Sequence, residues 1–275
     1  MPPPVRIYAF AGPRDWRIMA AMIAISLQSG SNGNCVYVEG GGVRVLFDAG
    51  ISGLQAQQRL ASHGRDIRQV DAVILSHDHA DHARCAGVYQ RKFNLPLYVT
   101  HKTLKAAQNR PMGRLGDIRF FEAGATLDLG GLQVQTIPTP HDAADGVAFV
   151  AVAGGKRLGI LTDLGHMFDS LRQLLPSLDA AFLESNYDPE MLRQGPYPEF
   201  LQERIRGPHG HLSNDQAAEL LAAQIGGGLR WACLAHLSEH NNHPDVAMGT
   251  HRRMLGDSFP LAVASRHEPS GVFEI

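Results

Sequence analysis

The sequence predicts an α+β fold, a four-layer αββα sandwich. Two mixed, mostly antiparallel β-sheets pack face to face, with helices on the outer faces. Three observations lead there. The chain has 275 residues and 44% hydrophobic content, enough for one large core or two closely packed halves. Short β-rich runs come in pairs around glycine turns at Gly40-Gly41-Gly42, Gly130-Gly131 and Gly154-Gly155. Each half also reads as a group of strands followed by helices.

Residues 1–21 carry three consecutive prolines and read as a disordered leader or an over-extended start, with Met22 as the alternative initiator. Residues 22–275 read as a single domain. Arg14 and Arg17 before an apolar run imitate a signal peptide, but residues 23–27 read better as the first strand. Strands over 35–39 and 43–47 follow, then an amphipathic helix over 54–64. An aliphatic strand over 70–75 precedes a helix over 83–93 and a strand over 97–100. The second half places hairpins over 126–137 and 146–162, a helix over 167–175 and a strand over 179–184. Residues 186–210 are polar and proline-rich, and suit a short helix or two on a surface excursion. Ser213 and Gln216 form a capping-box pattern that opens a helix, and a strand over 230–235 leads to His236. A helix from His243 and an edge strand over 261–264 end the pattern.

A net charge of −2 does not describe a polycation, and nothing global advertises nucleic acid or membrane binding. The stretch from Arg84 to Arg119 carries eight Lys or Arg against one acid, Asp117. It suits a solvated face or a polyanion contact. No apolar run is long enough to span a membrane. Cys35, Cys85 and Cys233 are odd in number and lack CxxC spacing, which suits the cytoplasm better than a disulfide scaffold.

The chemistry concentrates where the 70–75 strand leaves the core. Ser76-His77-Asp78-His79-Ala80-Asp81-His82 places three histidines and carboxylates within seven residues. A loop there can aim His77 and His79 to one side, Asp81 and His82 to the other, which suits two neighbouring divalent ions. Asp48 and Asp163 each end a strand, and His141 follows Pro140 on a stiffened turn.

His77-x-His79-x-Asp81-His82 resembles the HxHxDH signature of the metallo-β-lactamase-fold hydrolases. Phe47-Asp48-Ala49-Gly50, Pro140-His141-Asp142, Leu161-Thr162-Asp163 and Ala235-His236-Leu237 follow in that superfamily's order. Two further stretches, Ser29 to Asn34 and Gly210-His211-Leu212-Ser213-Asn214, resemble the YycJ/WalJ-type branch of DNA exonucleases, as does His236-Leu237-Ser238 with Asn241-Asn242.

The resemblance implies a metal-dependent phosphodiesterase, a nuclease degrading DNA from an end. His77, His79 and His141 would bind one ion, and Asp81, His82 and His236 the other. Asp163 would bridge them, and Asp48 would orient a ligand histidine. The pair, zinc by default with manganese or iron fitting the same donors, would share a water and present it as hydroxide. Asp81, Asp163 and His211 form the implied catalytic set, with His211 stabilising phosphate charge or protonating the leaving oxygen. Ser31, Asn34 and Asn241 are candidate substrate contacts. A hydrolase of a small phosphodiester, thioester or lactone is the competing reading, and the oligomeric state is open, a homodimer included.

Overall fold

The computed structural model describes residues 5–7 and 22–275. The leader expected over 1–21 lies, apart from that short segment, outside the described residues. Strands β2 (Ile23–Gln28), β3 (Cys35–Gly40) and β4 (Val43–Phe47) form an antiparallel meander. β5 (Ala72–Ile74), β6 (Leu97–Val99) and β7 (Ile118–Phe120) extend it in parallel, and β15 (Phe273–Glu274) lies antiparallel on β2. In the second sheet β8 (Thr126–Asp128), β9 (Gln133–Pro138), β10 (Val147–Ala153) and β11 (Lys156–Leu161) are antiparallel. β12 (Ala180–Glu184), β13 (Trp231–Ala235) and β14 (Leu261–Val263) continue in parallel, and β1 (Val5–Ile7) pairs in parallel with β8.

Both sheets are therefore mixed, as expected, but antiparallel pairs do not dominate. The reason lies in the connections. Hairpin turns join the antiparallel strands, whereas parallel neighbours need helical crossovers. Those crossovers include α1 (Gly53–Ala61), α3 (Ala86–Phe93) and α4 (His101–Ala107) on one sheet. On the other they include α5 (Asp169–Leu174), α8 (Asn214–Ala222) and α9 (Pro244–Leu255). The β7 and β15 strands were not legible in the sequence; each has three residues or fewer.

Alternation decides the layers. Val36 and Val38 of β3 face a core shared with Phe149 of β10 and Phe182 of β12, between the sheets. Cys35 and Tyr37 face the opposite way, against Ala56 of α1 and Tyr89 of α3. Ala148 and Val150 of β10 likewise turn outward to meet Leu171 of α5 and Leu221 of α8. Sheets buried on both faces explain the near-continuous apolar runs. Capping boxes at Ser52–Gln55 and Ser213–Gln216 satisfy the first turns of α1 and α8.

The expected 83–93 helix is broken. α2 (Ala80–Ala83) and α3 are separated at Cys85, whose N–H leaves the helical ladder to donate to the Ala49 carbonyl at 2.9 Å. Asp81 and His82 thus sit on one helical turn rather than an open loop. That turn is tied down twice more: Asn34 N–H donates to the Asp81 carbonyl at 2.7 Å and Ala49 N–H to the His82 carbonyl at 2.7 Å. Gly50 lies against this junction; a Cβ there would stand 1.6 Å from the Asp81 carbonyl oxygen. Gly50→Ala is expected to cost about 2–3 kcal/mol by forcing the backbone apart, lowering Tm by roughly 5–10 °C. Thermal unfolding checks this, and an unchanged Tm would contradict the close approach.

Candidate metal centre

The loops after β4, β5, β9, β11, β12 and β13 converge at one edge of the sandwich. Three of the residues they carry, Asp48 (φ 66°), Asp163 (φ 56°) and His236 (φ 57°), have left-handed backbone. Such a conformation costs roughly 1–3 kcal/mol and concentrates at functional sites. Here it turns each side chain sharply off its strand end into a common space.

His77, His79 and His141 form one group of three close nitrogen donors. His79 Nε2 lies 3.2 Å from the Asp142 carbonyl, and His141 Nδ1 lies 2.8 Å from the Gly210 carbonyl. A carbonyl accepts only from an N–H, so these nitrogens carry the protons. The lone pairs of His79 Nδ1 and His141 Nε2 therefore face each other, 3.3 Å apart. His77 Nε2 is buried with no hydrogen-bond partner.

Asp81, His82 and His236 form a second group. His82 Nδ1 donates to Asp48 Oδ2 at 2.7 Å, which turns Nε2 inward, 3.5 Å from Asp81 Oδ2. His236 Nε2 lies 3.3 Å from the same Asp81 oxygen. Asp48 is itself fixed by Ser76, whose N–H and hydroxyl both donate to Oδ1 at 2.8 Å. Asp163 stands between the groups: Oδ1 is 3.6 Å from His141 Nε2, Oδ2 3.2 Å from His82 Nε2. Its Oδ2 is buried and makes no hydrogen bond.

Opposed lone pairs and orphaned buried atoms are unfavourable by themselves and suit cations lodged among them. The charges agree. Burial, with His82 nearby, holds His77 well below the usual imidazole range, so it is neutral as a ligand must be. Burial also disfavours charge on His236, but Asp163, Asp81 and Glu184 overcome it and push the group up to about 10. His82 is likewise raised against burial, by Asp163, Asp48 and Asp81. Burial opposes ionisation of Asp81 and Asp163 too, yet the surrounding histidines hold both carboxyls far below the carboxylate range. The carboxylates thus draw positive charge onto His82 and His236, and a cation bound among them would take the place of those protons.

His211 lies beside this cluster. Its Nδ1 is 2.7 Å from Glu184 Oε1, and 3.7 Å from Asp163 Oδ1. Glu184 is fully buried at the end of β12. Its carboxylate accepts from the backbone N–H groups of Asp163, Leu164 and Leu212, at 3.1–3.2 Å. Burial opposes its charge, but His211 outweighs that and lowers it to about 2. Sequence reasoning missed Glu184; the available signal was an acid closing an apolar strand, as Asp48 and Asp163 do.

Residues 43–236 match the family described as Beta-lactamase superfamily domain. The chain belongs to this superfamily, with the metallo-β-lactamase fold. It is 34% identical over 224 residues to Exodeoxyribonuclease WalJ of Streptococcus pneumoniae, covering 80% of this chain and 83% of that protein. It is 33% identical over 222 residues to Exodeoxyribonuclease YycJ of Bacillus anthracis, covering 80% and 84%. Among solved structures, the metallo-beta-lactamase fold protein YhfI from Bacillus subtilis superposes with a TM-score of 0.71 at 18% identity, covering 93% of this chain and all of that one. Superfamily fold and His/Asp clusters together imply divalent metal ions.

The remaining motif residues divide by location. Ser31 is exposed and lines the pocket over the cluster. Asn34 is buried beneath it, with Oδ1 accepting from Gly30 N–H at 2.9 Å and Nδ2 2.9 Å from His82 Nε2. Asn241 is fully buried, its Nδ2 3.3 Å from Ser238 Oγ, and it does not line that pocket. The structure thus places Asn34 and Asn241 as scaffolding rather than at the surface a substrate meets. Asn214 and Asn242 pair with each other at 2.9–3.0 Å, and Asn242 Nδ2 also reaches the Ser185 and Asn186 carbonyls. Asn186, a residue the motifs did not single out, donates to the His236 carbonyl at 2.7 Å. This network locks the His211 and His236 loops together. No cysteine joins the metal-ligating groups found among the described residues. The basic stretch is largely occupied structurally: Arg91 donates to the Met112 carbonyl and Arg110 to the Asp78 carbonyl.

Proposed function

We propose that this protein is a metal-dependent phosphodiesterase that degrades DNA from an end. His77, His79 and His141 would hold one divalent ion, Asp81, His82 and His236 a second, with Asp163 between them. Zinc suits the imidazole and carboxylate donors, and manganese or iron fits the same set. Bound ions there supply charge that polarises phosphoryl oxygens and makes water acidic near neutral pH.

The observation that carries the phosphorus reading is the His211–Glu184 pair. Glu184 takes the proton-bearing Nδ1 of His211, so Nε2 is the nitrogen left for a substrate in the pocket His211 lines. Hydrolysis adds a water oxygen to phosphorus and breaks the bond to the leaving sugar oxygen, which then needs a proton. An alkoxide is a poor leaving group, and a histidine whose Nδ1–H is held by a carboxylate can, as the imidazolium, donate that proton from Nε2. Names of the relatives, both exodeoxyribonucleases, support DNA as the substrate. No described helix is long and apolar enough to cross a membrane, and the three free thiols fit a reducing cytoplasm.

The test is a substrate panel of end-labelled DNA, RNA and bis-p-nitrophenyl phosphate, with and without EDTA. DNA should be shortened progressively, chelation should stop it, and zinc or manganese should restore it. Rates should fall steeply with salt. Turnover of the small ester alone would return the site to a small-substrate hydrolase.

A further inference from the structure

The pocket over the metal cluster, about 240 Å³, has one wall without ligands. It comes from the excursion over 186–210, which forms α6 (Pro189–Gln194) and α7 (Glu199–Arg206). Tyr197, Leu201, Arg204 and Ile205 line that side. α7 buries none of its residues, and Phe200 at its start is 72% exposed, more than any other exposed large hydrophobic among the described residues. Leaving a phenyl ring in water forgoes about 1.5–3 kcal/mol of burial. At 3.6 residues per turn Phe200 stands about 40° around the helix from Arg204, and it follows Tyr197 by three residues. It is therefore on the side of α7 that carries Arg204, next to the residues that line the pocket rather than among them. The Tyr197 ring is braced by His240, at 5.7 Å and 76° between planes.

The charges of this wall are already used. Arg193 pairs with Glu190, Arg204 with Asp142 and Arg206 with Glu203. What the wall adds for a nucleic acid is aromatic surface rather than spare cations. A nucleobase can stack on such a surface only when it is out of its duplex.

Building on the phosphodiesterase reading, we propose that Tyr197 and Phe200 form a stacking platform for unpaired bases of the strand being cut. Tyr197 lies in the same pocket as His79, His141 and His211, so a strand reaching the metals passes it.

The experiment pairs two substitutions with an abasic substrate. Wild-type protein, Phe200→Ala and Tyr197→Ala are compared by kcat/KM on a single-stranded oligonucleotide and on one whose terminal residues lack bases. Stacking is worth about 1–3 kcal/mol per base, so removing the bases should slow the wild type roughly ten- to a hundred-fold. Each variant should lose a similar factor on the intact strand and little more on the abasic one. Phe200 is exposed, so its variant should retain Tm and metal content, which separates stacking from misfolding. Equal abasic penalties in wild type and variants would overturn the platform alone. Wild-type protein that hydrolyses a small phosphodiester but no oligonucleotide would overturn the nuclease reading and the platform together.

Discussion

The Asp163→Asn variant is expected to lose bound metal and at least about 10³-fold in turnover. Asp163 is buried between the two donor groups, one oxygen toward His141 and the other toward His82. Asparagine keeps the shape and removes the charge. Its amide also brings N–H donors to a place where Asp163 Oδ2 now presents an unpaired acceptor. Losing a charge that holds cations at the reacting centre costs several kcal/mol, and each 1.36 kcal/mol is about tenfold in rate. Metal analysis beside steady-state kinetics checks this, with circular dichroism as the control for folding. Full metal content with near-normal turnover would remove Asp163 from the site.

The His211→Ala variant separates chemistry from metal binding. It should keep its metal and lose about 10²–10⁴-fold in turnover on DNA, the range that general acid catalysis supplies. The loss should be much smaller on bis-p-nitrophenyl phosphate, because nitrophenolate departs without a proton. Glu184→Gln should follow the same pattern more weakly, by roughly 10–100-fold, as outer partners of a working histidine do. Equal losses on both substrates would assign His211 to charge stabilisation instead of proton donation. Loss of metal from His211→Ala would make it a ligand, consistent with the close group of Asp163, Glu184, His211 and His236.

Much of the scaffold was legible because its signals are local. Glycine pairs marked the hairpins, Ser213 and Gln216 marked the start of α8, and an apolar run marked β12. Three-residue strands such as β7 carry too few side chains to show a period. The break at Cys85 comes from a hydrogen bond to Ala49, thirty-six positions earlier, which no local pattern announces.

The residues gathered at the centre were named from the sequence, through the HxHxDH run at 77–82 and the resemblance that the later motifs carry. Which nitrogen each histidine turns inward was decided only by tertiary structure, through partners such as the Gly210 carbonyl for His141 and Asp48 for His82. The same holds for Glu184. In sequence it is one acid closing a strand, and it acquires a role only when folding brings His211, twenty-seven residues away, to 2.7 Å. A hydrogen bond depends on distance and direction in space, and chain separation carries neither.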